Sequence, residues 1–116
     1  MKNKNIARGN LSASGLSWLG LNSNRIIQVN ALSEVDMLWA IEEGLRCSGI
    51  MAVVAELDGQ RKGAVSETSI FWRKLQLAAE KNGVTVFMLR PNAKNISSIA
   101  ETRWRVSPCL TRDWRP

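Results

Sequence analysis

"RKLQLAAEKNGVTVFMLR", residues 73–90, runs from a charged helix straight into a strand. Its first half sets leucines and alanines at helical spacing among Arg73, Lys74, Glu80 and Lys81, and its second half, "VTVFML" (84–89), is a mostly apolar run rich in β-branched residues that reads as a buried strand. Between them stands Asn82-Gly83, a stop signal, because glycine takes the left-handed conformation in which helices commonly end. A helix that turns directly into an apolar strand is half of a crossover unit, and strands of that composition are covered on both faces of a parallel sheet.

The same pattern recurs on the N-terminal side. "MAVVAEL" (51–57) is a second apolar strand covered on both sides, and "RIIQV" (25–29) reads as a third. A helix over 34–48 separates these two, with Ser33 as its N-cap, Asp36 in the capping-box position and Gly49 as its left-handed stop. A second long helix spans 67–81, capped by Ser66, after the polar loop 58–65. One or two helical turns are expected in 13–21 and one at 96–100, and the alternating "TRWRV" (102–106) reads as an edge strand. The class is α/β, a mostly parallel sheet in β-α-β-α-β order plus a C-terminal edge strand, with right-handed crossovers. Residues 1–10 form a basic flexible tail, 11–108 one folded unit and 109–116 a C-terminal tail.

The chain has 116 residues, enough for one core, and 45% of them are hydrophobic. Its net charge of +6 favours acidic partners: nucleic acid, an anionic membrane surface or an acidic protein. Cys47 and Cys109 lack metal-type spacing and have no histidine to help them, so they read as reduced thiols of a cytoplasmic protein. No run approaches the ~18 consecutive apolar residues of a membrane helix, and the polar, basic N-terminus is no secretory signal. A soluble protein with no membrane contact is expected.

Stepping ~100° per residue around the first long helix gathers Met37, Leu38, Ile41, Gly44 and Leu45 on the sheet-facing side. Glu42, Glu43 and Arg46 take the other, with Trp39 and Val35 among them. Tryptophan is enriched among interface anchors, although a loop or the N-terminal segment covering Trp39 explains it equally simply. On the second helix Phe71, Trp72, Leu75, Ala78 and Ala79 face inward, while Ile70 and Leu77 fall nearly opposite, between Arg73, Lys74 and Lys81. An apolar strip framed by positive charge suits a docked protein, and isolated surface apolars are its plain alternative. In "TRWRV" alternation sets Arg103 and Arg105 opposite Thr102, Trp104 and Val106. Arginine beside tryptophan suits base stacking and phosphate contact, a partner-binding tail or an ordinary edge strand.

Catalytic signals are lacking. There is no phosphate-cradling G-x-x-x-x-G-K-[ST] loop, and Gly59 and Gly63 do not make G-x-G-x-x-G. Glu56 ends a buried strand, where open α/β sheets bind ligands. Without a phosphate loop it reads as a carboxylate pairing with Arg61, Lys62 or Arg90. Cys109 has no base to activate it. No catalytic residue, metal or cofactor is expected. A RecA-type ATPase is the enzymatic alternative, and a stand-alone DNA-binding protein is a further one.

"LWAIEEGLR" (38–46), "RKLQLAAE" (73–80) and "TRWRVSP" (102–108) resemble the ImuA family, RecA-like accessories of SOS-induced mutagenic translesion synthesis, over residues 11–108. The region is shared in outline with SulA, the SOS inhibitor of the division protein FtsZ; the Arg-Lys-Leu-Gln helix and "TRWRV" favour ImuA. The resemblance implies a partial RecA-like three-layer fold and a role in DNA-damage tolerance. It implies as partners an ImuB-like protein, an error-prone C-family DNA polymerase and the RecA filament. The chain looks like the family's C-terminal half alone, from a short gene, a fragment or a decayed copy. A half-sheet is expected to leave an edge or face open and so to pair as a homodimer. The partner-binding candidates are Trp39, Ile70, Arg73, Lys74, Leu77, Lys81, Arg103, Trp104 and Arg105.

Overall fold

The computed structural model describes residues 11–57, 69–90 and 99–109. The chain divides into two compact units, Met1–Asn30 and Ala31–Pro116. In the first, helix α1 (Ala13–Trp18) is capped by Ser12, whose hydroxyl accepts from the Gly15 N–H at 3.2 Å. It ends at Gly20, φ +89°, with the Leu21 N–H donating to the Leu16 carbonyl and the Gly20 N–H to that of Ser17. This double closure satisfies carbonyls that the helix leaves unpaired. A 3-10 turn, Ser23–Arg25, follows, capped by the Asn22 side chain.

The strand expected at 25–29 does not form. Arg25 belongs to the 3-10 turn, and although Ile26 is extended, no described strand pairs with this run. β-branched residues favour extended backbone, but a strand also needs a neighbouring ladder and a buried face. Ile27 and Val29 are exposed.

The second unit contains α2 (Glu34–Arg46), β1 (Ala52–Glu56), α3 (Ser69–Asn82) and β2 (Thr85–Leu89). Ser33 caps α2: its hydroxyl accepts from the Asp36 N–H at 3.1 Å and donates to the Asp36 carboxylate at 2.8 Å. Glu34 and Asp36 in the first turn and Arg46 in the last complement the helix dipole. Gly49 does not act as the left-handed stop. The helix closes before it, at Cys47, which is extended, and positive φ among the described glycines is confined to Gly20 and Gly83. Gly83, φ +66°, terminates α3 as its position predicts, and the Val84 N–H donates back to the Ala79 carbonyl at 3.2 Å. The expected helix start near Glu67 and its Ser66 cap lie outside the described residues, as do the tails 1–10 and 110–116 and most of the turn at 96–100.

β1 and β2 pair in parallel, with Val53 opposite Val86 and Ala55 opposite Met88. These four side chains point to the face on which α2 and α3 pack side by side. Ile41 and Leu45 from α2, Phe71 and Leu75 from α3, Ala55 and Val84 make the buried core. The inward stripes expected for both helices are the ones that reach it. Gly44 matters here for closeness: a Cβ on it would stand 3.1 Å from Val53 Cγ2.

Two expectations are corrected. Both strands were expected to be covered on both faces, yet Val54, Phe87 and Leu89 are exposed on the face away from the helices. Periodicity cannot reveal this, because an all-apolar run looks the same whether one face or two are packed. The alternating 102–106 is no strand either, and Trp104 and Val106 are almost fully exposed. Alternation marks a half-buried strand only where a sheet edge accepts it. What stands is an α/β unit with a two-stranded parallel sheet.

Phe71→Ala is expected to cost about 3–5 kcal/mol, the range for emptying a packed aromatic site. Phe87→Thr, at a position 53% exposed, should change stability by less than about 1 kcal/mol. Urea unfolding followed by circular dichroism reads both. Gly44→Val should lower stability by about 1–3 kcal/mol through overpacking, and pairing it with Val53→Ala should cost less than the two single losses added.

Candidate protein-binding surface

The outer side of α3 carries Ile70, Arg73, Lys74, Leu77 and Lys81 at spacings of three and four, so they form one continuous line. Ile70 is 80% and Leu77 50% exposed, opposite the buried Phe71 and Leu75. The charges in this line are not equivalent. Lys74 Nζ lies 2.7 Å from Glu42 Oε1 on α2, which ties the two helices together across their seam. Arg73 Nη1 donates to Gln76 Oε1 at 3.3 Å, and Gln76 Nε2 donates to Glu80 at 3.1 Å, both along the exposed helix surface.

Trp39 is 65% exposed on the outer side of α2, and no loop of the described residues hides it. Because α2 and α3 lie side by side, Trp39 and the α3 line share one helical layer. Taken helix by helix, the sequence does not show that juxtaposition. It also leaves Leu32 unnoticed, an exposed side chain just before the Ser33 cap of α2.

Arg103, Trp104 and Arg105 are placed differently from expectation. With no strand at 102–106 there is no sheet pairing to seat them beside α3 and no alternation to divide their faces. Trp104 is 86% exposed. The candidate surface therefore rests on α2 and α3, and the C-terminal arginines are a separate feature.

Glu56 ends β1, as read. Arg90, just after β2, stacks over Trp72 with its guanidinium carbon 5.3 Å from the ring centroid, and Trp72 meets Phe71 edge-on at 5.3 Å. Such a cation–aromatic contact anchors the exit of the strand. Two shallow hollows in the first unit, one along 17–23 and one between Leu11, Leu16 and Ile26, hold no ionisable side chain. Among the described residues no three His, Cys, Asp or Glu side chains gather as metal ligands. Cys47 and Cys109 are free and exposed. No described helix is long and apolar enough to cross a membrane.

No family model matches the chain, and no solved structure does. Curated proteins do match: Protein ImuA of Caulobacter vibrioides strain NA1000 / CB15N and Protein ImuA of strain ATCC 19089 / CIP 103742 / CB 15, each 35% identical over 111 residues. The alignment takes in 87% of this chain and 43% of each relative, so the chain spans less than half the length of the curated relatives it matches. The SulA-like alternative finds no support in these matches. Over most of its length this chain is similar to ImuA, as the helix, strand and "TRWRVSP" motifs imply.

Proposed function

We propose that the chain is a non-catalytic accessory of SOS-induced error-prone translesion synthesis, acting by protein binding in the mutasome. The similarity to ImuA carries this reading. The partners proposed are an ImuB-like protein, an error-prone C-family polymerase and the RecA filament, and the architecture proposed is part of a RecA-like α/β layer fold. The exposed α3 line supports binding as the mode of action: Ile70 and Leu77 offer apolar anchors, and Arg73 and Lys81 a cationic rim. The absence of a phosphate-loop motif from the sequence supports a role without ATP chemistry.

A pull-down with tagged chain tests the role. Wild type should retain an ImuB-like protein, and Leu77→Asp should weaken that capture by about 2 kcal/mol or more, roughly 30-fold, as loss of an interface anchor does. Arg103→Ala combined with Arg105→Ala should leave capture unchanged. If Leu77→Asp keeps every partner and the arginine pair alone controls binding, the partner is nucleic acid and the reading fails. Nucleotide calorimetry should give no ATP binding, whereas micromolar affinity abolished by Glu56→Ala would restore an enzymatic role.

A further inference from the structure

The helical layer of the second unit is divided by charge. α2 carries the acids Glu34, Asp36, Glu42 and Glu43 against the single base Arg46, while α3 carries the bases Arg73, Lys74 and Lys81 against the single acid Glu80. Each half also exposes apolar side chains on its outer side: Val35 and Trp39 on α2, Ile70 and Leu77 on α3. A partner covering the whole layer must present a basic apolar strip to α2 and an acidic apolar strip to α3, side by side. This chain carries both strips. We propose that the α2–α3 layer is a self-complementary surface on which a second copy of the chain docks face to face, α2 of each copy against α3 of the other.

The geometry allows a closed pair. Each helix passes by a short turn into the strand after it, and the strands are parallel, so α2 and α3 run in the same direction. A two-fold axis along that direction sets α2 opposite the partner's α3 without reversing either, which gives an isologous, closing contact. The shared core of Ile41, Leu45, Phe71 and Leu75 sets the relative level of the two helices, and the Lys74–Glu42 bridge spans the seam between them. At that level Trp39 stands opposite the second copy's Ile70, and Glu43 falls opposite the stretch between its Arg73 and Leu77. The dimer thus has an aromatic–aliphatic centre, made twice, and a Glu43–Arg73 charge pair, also made twice, for which Glu43 exchanges its exposed 3.5 Å contact with Arg46 of its own helix. Opposite charges fix the register and like charges oppose it.

Sedimentation equilibrium of the purified chain tests the pairing, with circular dichroism as the fold control. Wild type should be a dimer. Glu43→Arg and Arg73→Glu should each weaken it by at least about 10-fold, since each creates like charges at both contacts. An equimolar mixture of the two variants should restore a dimer, because one contact then has its two charges exchanged and the other is native. Restoration also shows that both variants are folded. A monomeric wild type at about 100 μM would overturn the proposal, as would variants that leave the dimer intact or a mixture that stays monomeric. An assembly that appears only on adding a DNA oligonucleotide would overturn it too. The proposal does not rest on the mutasome role, and because both occupants use the α3 line the second copy must leave before an ImuB-like protein docks there: a wild-type monomer that still captures it defeats only the dimer, and a monomeric Glu43→Arg variant that captures nothing defeats only the role.

Discussion

The core that Leu45 shares with Phe71 and Leu75 holds α2 and α3 against one face of β1 and β2, and the placement of the helical layer depends on it. Leu45 is the one large side chain that is completely buried among the described residues. Burying such side chains removes apolar surface from water at roughly 25 cal/mol per Å², the main favourable term available to so small a core. Gly44, one residue earlier, lets α2 approach until a Cβ there would stand only 3.1 Å from Val53 Cγ2. Closeness there sets the helix on the sheet, and the sheet then sets the level of α3 beside it.

That packing explains why charges and exposed apolars fall where they do. With Phe71 and Leu75 turned inward, helical periodicity leaves Ile70, Arg73, Leu77 and Lys81 outward. With Ile41 and Leu45 inward on α2, Val35, Trp39 and Glu43 must face out. Among the described residues, one cation of the α3 line is taken up by the neighbouring helix: Lys74 bridges to Glu42, a partly exposed pair whose own contribution is small, about 0.2–1 kcal/mol. Its greater effect is geometric, since it aligns an acidic helix with a basic one across the seam.

The opposite face of the sheet is a contrast. Val54, Phe87 and Leu89 line up across the register, Val54 beside Phe87, and are exposed. In parallel sheets both faces are usually covered, and the apolar runs at 51–57 and 84–89 read that way. The helical layer is divided between an acidic helix and a basic one; Val54, Phe87 and Leu89 on the open sheet face carry no charge.

Residues with strong local causes were legible in the sequence. Ser33 with Asp36, Gly83 after Asn82, the inward stripes of α2 and α3, and the two apolar strands all follow from capping chemistry, backbone freedom and periodicity, which act within a few residues. What required tertiary structure was whatever depends on a distant neighbour. "RIIQV" and "TRWRV" have strand composition, yet among the described residues neither joins the outer edge of β1 or β2, and their apolar side chains Ile27, Val29, Trp104 and Val106 stay exposed; composition acts locally, whereas pairing needs a distant neighbour. Gly49 has the residue type of a helix stop, yet α2 had already closed at Cys47. The candidate site divides along the same line. Ile70, Leu77 and Trp39 could be read as outward-facing from one helix at a time, but their union in one layer, with Lys74 spent on Glu42, exists only because both helices cover the same face of the sheet.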